Sequence, residues 1–108
     1  MTILVDLDGV ICTEERTFER SLATLKPGAR EAMQALCDAG HTVVIYSART
    51  WAELKMTEAW LREHQIPYHG LHLGKPIADW HIDDRAIQFT DWPDALGRLG
   101  VSQGGTPR

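Results

Sequence analysis

Apolar runs of strand length alternate along this chain with amphipathic segments of helical period, and each run delivers polar residues at its end. Ile3-Leu4-Val5 leads into Asp6-Leu7-Asp8-Gly9 and Thr42-Val43-Val44-Ile45-Tyr46 into Ser47. A short run at Leu71 to Leu73 leads into Gly74-Lys75-Pro76, and Trp80-His81-Ile82 into Asp83-Asp84. Strands alternating with helices predict a mostly parallel sheet covered on both faces, its strands joined by right-handed crossovers. The C-terminal ends of such strands share one edge, which is where open α/β sheets bind ligands. Asp6, Asp8, Ser47, Lys75, Asp83 and Asp84 are therefore expected to converge there. The two-residue period of a strand turns Asp6 and Asp8 the same way, and Gly9 permits a sharp exit.

The intervening helices carry their own signals. Pro27 suits a first helical turn, Ala29, Ala32, Met33 and Leu36 recur at helical spacing, and Gly40 supplies a stop. The β-branched run from Thr42 to Tyr46 reads as a strand buried on both faces. Thr50 and Glu53 form a capping box opening a second helix, whose stripe of Ala52, Met56, Ala59 and Trp60 ends between His64 and Pro67. Thr90 or Asp91 caps a last helix with Pro93 in its first turn and Gly100 at its end. Residues 1–100 are expected to form one domain and 101–108 a disordered tail.

A chain of 108 residues can bury a core without disulfides or structural metals. Cys12 and Cys37 lack CxxC spacing, and the N-terminus shows neither a signal peptide nor a membrane span, so a cytoplasmic protein without membrane partners is expected. The net charge of -4, with 11 Lys and Arg scattered among 15 Asp and Glu, speaks against nucleic acid as a partner. Acids, a hydroxyl and a lysine on one edge are the parts that phosphoryl transfer with a divalent cation requires.

In this respect the sequence resembles the haloacid dehalogenase superfamily of phosphohydrolases. Asp6-Leu7-Asp8-Gly9-Val10 is similar to its first motif, Ser47 to its second, Lys75 to its third and Asp83-Asp84 to its fourth, all in family order. The stretches from His64 to Tyr68, Gly74 to Pro76 and Ile82 to Ile87 look closest to small capsule polysaccharide biosynthesis phosphatases of that superfamily. The resemblance implies an α/β, Rossmann-like three-layer sandwich with a mostly parallel central sheet. The gaps before Ser47 and before Lys75 each hold little beyond one helix, which implies a capless core.

What the resemblance implies chemically is a Mg²⁺-dependent phosphatase that passes through an aspartyl phosphate. Asp6 would be the nucleophile and Asp8 the general acid and base. Ser47 would donate to a phosphoryl oxygen, Lys75 would neutralise charge, and backbone N–H groups after Asp6, that of Gly9 among them, would help cradle phosphate. Mg²⁺ would be held by Asp6, the Asp8 carbonyl and the Asp83-Asp84 pair, with Asp83 favoured as the direct ligand. Arg49 is a further candidate for gripping phosphate or a sugar acid. His69, His72 and His81 lack a close cysteine pair and read as solvated loop histidines. Trp51, Trp60, Trp80 and Trp92 read as packing, with Trp51 placed to line a substrate mouth.

The expected substrate is a small phosphorylated sugar or related metabolite. A capless site is open, so a homo-oligomer contact near the Ile11 to Leu25 loop would supply the missing wall. The alternatives are a polynucleotide or phosphoprotein phosphatase, a phosphorelay receiver, and a catalytically silent phosphoryl-binding domain. Receivers place the acidic pair first and the phosphorylated Asp alone on a middle strand, the reverse of the order here.

Overall fold

The computed structural model describes residues 1–102. Its sheet has three parallel strands in the order β1 (Thr2–Val5), β2 (Thr42–Tyr46) and β3 (Gly70–His72). Ile3 pairs with Val43 and Val5 with Ile45, while Tyr46 pairs with His72, so β1 and β2 end level and β3 ends beside them. The α/β class and parallel sheet expected from alternation are present. Among the described residues, 6–28 between β1 and the first helix contain one 3-10 turn, Thr17–Leu22, and no inserted domain.

Burial is uneven across the sheet. Val5, Val43 and Ile45 are buried on one face, whereas Val44 and Tyr46 on the other are half-buried and Leu4 is 60% exposed. The run from Thr42 to Tyr46 is therefore covered fully on one side only, which corrects the expectation of a strand buried on both. A short apolar run does not distinguish these cases, because β-branched residues also suit a half-covered face.

Helix α1 (Ala29–Asp38) packs against β2 and buries Ala29, Ala32, Met33, Ala35 and Leu36, as its spacing predicts. Pro27 lies before the helix instead of in its first turn; Gly28, left-handed at φ 77°, stands at the N-cap. The Thr50–Glu53 capping box forms, but on a 3-10 turn (Trp51–Glu53) that runs on into α2 (Leu54–Glu63). This offset rotates the stripe. Thr57, Trp60 and Leu61 are buried, while Ala52 and Ala59 face solvent and Met56 is half-buried. Helix α3 (Trp92–Leu99) is capped by Asp91, whose carboxylate accepts the Asp94 N–H, and ends at Gly100 with φ 70°. It packs on α1.

One expected strand does not form. After β3 the chain leaves the sheet, and Ile77, Trp80 and Ile82 are exposed in a segment without regular structure. The side of β1 away from β2 is left unpaired among the described residues. Of the expected 101–108 tail, Val101 packs against the core, its N–H bonding to Leu96 O, and 103–108 lie outside the described residues. No described helix is long and apolar enough to cross a membrane.

The uneven sheet makes a direct prediction. Ile45→Ala lowers the free energy of unfolding by about 2–5 kcal/mol, whereas Leu4→Ala costs less than about 1 kcal/mol. Urea titrations of the two variants measure the contrast, and equal losses would contradict one-sided burial.

Candidate active site

The polar strand ends meet where β1, β2 and β3 finish, and buried and exposed groups there are differently engaged. Asp6 follows β1 with its side chain 42% exposed. Its Oδ1 accepts the Leu7 N–H at 2.8 Å, and its Oδ2 lies 3.7 Å from Lys75 Nζ. Lys75 is held by its own N–H, which donates to Ser47 O at 3.0 Å, and its ammonium stands 5.3 Å from the centre of the Tyr46 ring. The carboxylate, the lysine and the end of β2 thus form one group, as expected.

Asp8 is engaged differently. Arg49 Nη2 donates to its Oδ1 at 2.7 Å and Arg49 Nε to its Oδ2 at 2.9 Å, a two-pronged pair. The arginine is 1% exposed, and its Nη1 donates to Thr57 Oγ1 at 3.0 Å. Burial pulls the Arg49 pKa down, but the bonds to Asp8 and its charge outweigh that and the net shift is upward. The sequence reading offers Arg49 as a grip on substrate; the structure buries it and turns its fork onto Asp8. Its contact with Thr57 was missed, though a polar residue inside an apolar helix stripe is a usable signal.

Ser47 is fully buried. Its Oγ accepts the Arg49 N–H at 3.1 Å, so the hydroxyl expected to meet a phosphoryl oxygen braces the arginine's backbone here. Gly9 provides the turn at φ 87°, yet its N–H donates to Cys12 O, and those of Val10, Ile11 and Cys12 turn back to Leu7 O. These amides close a tight loop and are not offered to a ligand. Cys12 lies beneath, with Sγ 3.7 Å from Asp8 Oδ1; burial first, and then Asp8, push its thiol up to about 12, which makes it a poor nucleophile.

Asp83 and Asp84 do not join this group. Both are exposed; Asp83 Oδ1 accepts the Arg85 N–H, and Asp84 lies 3.8 Å from Arg85 Nε. The cause is the missing strand at Trp80 to Ile82, which would have carried them to the edge. Among the described residues no three His, Cys, Asp or Glu side chains gather as a metal-holding group. The set expected to hold Mg²⁺, Asp6, the Asp8 carbonyl, Asp83 and Asp84, is therefore not assembled, because the acid pair stands apart from Asp6. The arrangement does not fit the ion, and no step is derived through it. His69 is a backbone partner, its Nδ1 accepting the Val43 N–H.

The rim is pinned by Glu53. Its Oε1 accepts from Arg20 at 2.6 Å, tying the Ile11 to Leu25 loop to the turn after Arg49, while its Oε2 accepts the Thr50 N–H. Two indoles brace this region from within: Trp60 Nε1 donates to Ala23 O of that loop and Trp92 Nε1 to Val10 O just before it.

No protein-family model and no curated protein matches the sequence. Solved structures do resemble it. A crystal structure of a Vibrio cholerae protein superposes with a TM-score of 0.70 at 24% identity, covering 81% of this chain and 82% of that one. A chain of the Pnkp1/Rnl/Hen1 complex, an RNA repair assembly, gives 0.60 at 21% identity over 77% of this chain and 31% of that one. The D,D-heptose 1,7-bisphosphate phosphatase from B. bronchiseptica, crystallised with magnesium and phosphate, gives 0.56 at 19% identity over 93% of this chain and 64% of that one. This chain thus spans less than a third of the RNA repair chain and under two thirds of the heptose enzyme. These likenesses establish the fold, an α/β, Rossmann-like core.

Two measurements test the site's construction. Arg49→Ala strips the half-buried Asp8 carboxylate of its partner and is expected to cost about 2–3 kcal/mol in urea denaturation, against about 1 kcal/mol for Thr57→Val. For Glu53, burial raises the pKa, but Arg20 and Thr50 together lower it further, leaving it below the ordinary 4.5. Its contribution is present above pH 4.5 and is lost as pH falls through the depressed value. The melting temperature of Glu53→Gln should accordingly fall less than that of the wild type between pH 6 and pH 3; parallel curves would remove Glu53 from the acid response.

Proposed function

We propose that this chain is a phosphomonoester hydrolase using Asp6 as nucleophile. The observation that carries this reading is the exposed Asp6 carboxylate at the sheet edge, with one oxygen held by Leu7 N–H and the other facing Lys75. An oxygen of Asp6 attacks phosphorus as the bond to the ester oxygen breaks, giving an aspartyl phosphate and an alkoxide that takes up a proton. Water then attacks the same phosphorus and restores the carboxylate. Lys75 offsets charge on the phosphoryl oxygens in both steps. Asp8 is assigned the proton transfers: its carboxyl must begin protonated, with one oxygen released from Arg49, to donate to the alkoxide, and it then takes up the proton of the attacking water. Ser47, by bracing Arg49, acts on this pair from behind.

The substrate in this reading is a small phosphorylated sugar or related metabolite. The acidic balance of the chain and its resemblance to capsule-assembly phosphatases support it, as does the fold shared with a heptose bisphosphate phosphatase. Self-association at the Ile11 to Leu25 loop, where Phe18 and Leu22 are exposed, would wall the open site. The fold shared with a chain of an RNA repair complex favours a second reading, removal of phosphate from a polynucleotide end. The scattered Lys and Arg weigh against it.

Phosphate release across sugar phosphates, nucleotides and 3′-phosphorylated oligonucleotides tests these readings. Asp6→Asn is expected to abolish release by several orders of magnitude with the circular dichroism spectrum unchanged. Substantial residual turnover in that variant would end the nucleophile assignment, and higher kcat/KM on oligonucleotides than on any sugar phosphate would favour the second substrate.

A further inference from the structure

The tryptophans divide sharply by what their indole N–H groups do. Those of Trp60 and Trp92 are buried and bonded to carbonyls, whereas Trp51 and Trp80 are 55% and 86% exposed and neither indole makes a hydrogen bond among the described residues. Trp51 is nevertheless fixed in place. It follows Thr50 of the capping box, which Glu53 and Arg20 pin, and its ring meets His72 edge-on with centroids 5.8 Å apart. On its other side lies Gly74, where a side-chain carbon would come 3.0 Å from Trp51 Nε1. Glycine there lets the indole rest against the backbone that leads directly into Lys75.

The rings continue beneath the lysine. His72 contacts Tyr46 with centroids 5.3 Å apart, and Tyr46 lies under Lys75 Nζ, which faces Asp6. An exposed indole with a free donor thus stands at one end of a connected path whose other end is the carboxylate assigned to attack phosphorus. Exposing so large an apolar ring on a preorganised turn gives nothing to the core and costs little entropy when a ligand is met. A ring attached to a phosphate at Lys75 is the ligand that meets both ends at once.

We propose that Trp51 is a stacking shelf for a ring in the leaving group of the phosphate ester, making the site selective for cyclic over acyclic phosphates. The inference rests on the phosphatase reading for the position of the phosphate and adds the shape of what carries it. A pyranose, through its C–H face, and a nucleobase, through its π face, can each lie on an indole.

Binding is measured in the Asp6→Asn background, which prevents turnover, by calorimetry with glucose 6-phosphate, adenosine monophosphate, glycerol 3-phosphate and inorganic phosphate. Ring phosphates are expected to bind about five- to a hundredfold more tightly than glycerol 3-phosphate, the range that one stacked ring provides. Adding Trp51→Ala should erase that margin and leave inorganic phosphate binding unchanged, while Trp51→Phe should keep most of it. The larger margin, glucose 6-phosphate or adenosine monophosphate, identifies the ring. The indole N–H resonance lost in Trp51→Phe should shift with ring phosphates and stay in place with glycerol 3-phosphate. Equal weakening of all four ligands in Trp51→Ala, or no preference for rings at the outset, overturns the shelf. If the wild type hydrolyses these esters without a margin that depends on Trp51, the shelf fails and the phosphatase reading stands; ring preference without any hydrolysis has the opposite meaning.

Discussion

A buried guanidinium must find acceptors for its fork, and that requirement organises the polar end of this sheet. Arg49 satisfies it with both oxygens of Asp8 and the hydroxyl of Thr57, so the loop after β1, the exit of β2 and the middle of α2 are fastened at one point. Ser47 holds the arginine's own amide, and the Arg49 carbonyl accepts the Gly74 N–H at 2.8 Å, which brings in the turn that bears Lys75. Taking charges out of water is expensive unless their partners are complete. The pair is therefore better understood as a constraint on where these segments sit than as a source of net stability.

Much of this was legible in the sequence. Each of the strands β1, β2 and β3 was read from an apolar run, and the caps at Thr50, Asp91 and Gly100 lie where their residue types indicate. Asp6, Ser47 and Lys75 came together because parallel strands of similar length end on one edge. Less legible was depth. Nothing in Ser47-Ala48-Arg49 states that the arginine turns inward, since that follows from a carboxylate contributed by a residue 41 positions away. Gly9 was read correctly as a turn, but whether its amide faces a ligand depends on a hydrogen bond to Cys12 that no spacing reveals.

Trp80-His81-Ile82 failed for a different reason. Apolarity marks a segment that has something to gain from burial, not one that has found a partner, and a strand needs a neighbour to satisfy its backbone. The exposed side chains of Ile77, Trp80 and Ile82 show the first condition without the second. The same limit applies to Trp51, where residue type leaves packing and the lining of a substrate mouth both open, because exposure is a property of the fold.

Two acid–base pairs therefore share one edge with opposite characters. Buried Arg49 meets the half-buried Asp8 at hydrogen-bonding distance, whereas Asp6 and Lys75 stand 3.7 Å apart, beyond a well-formed hydrogen bond, with the carboxylate open to solvent. A phosphate can approach the looser pair without breaking a formed bond. Lys75 is already positioned by its backbone bond to Ser47 and by the Tyr46 ring, so it has little to reorganise when an anion arrives. Preorganised charge of this kind is the usual source of electrostatic catalysis. The rigid pair keeps the edge in shape while the loose pair stays open to an approaching anion, and it is on this division that the role proposed for Asp6 rests.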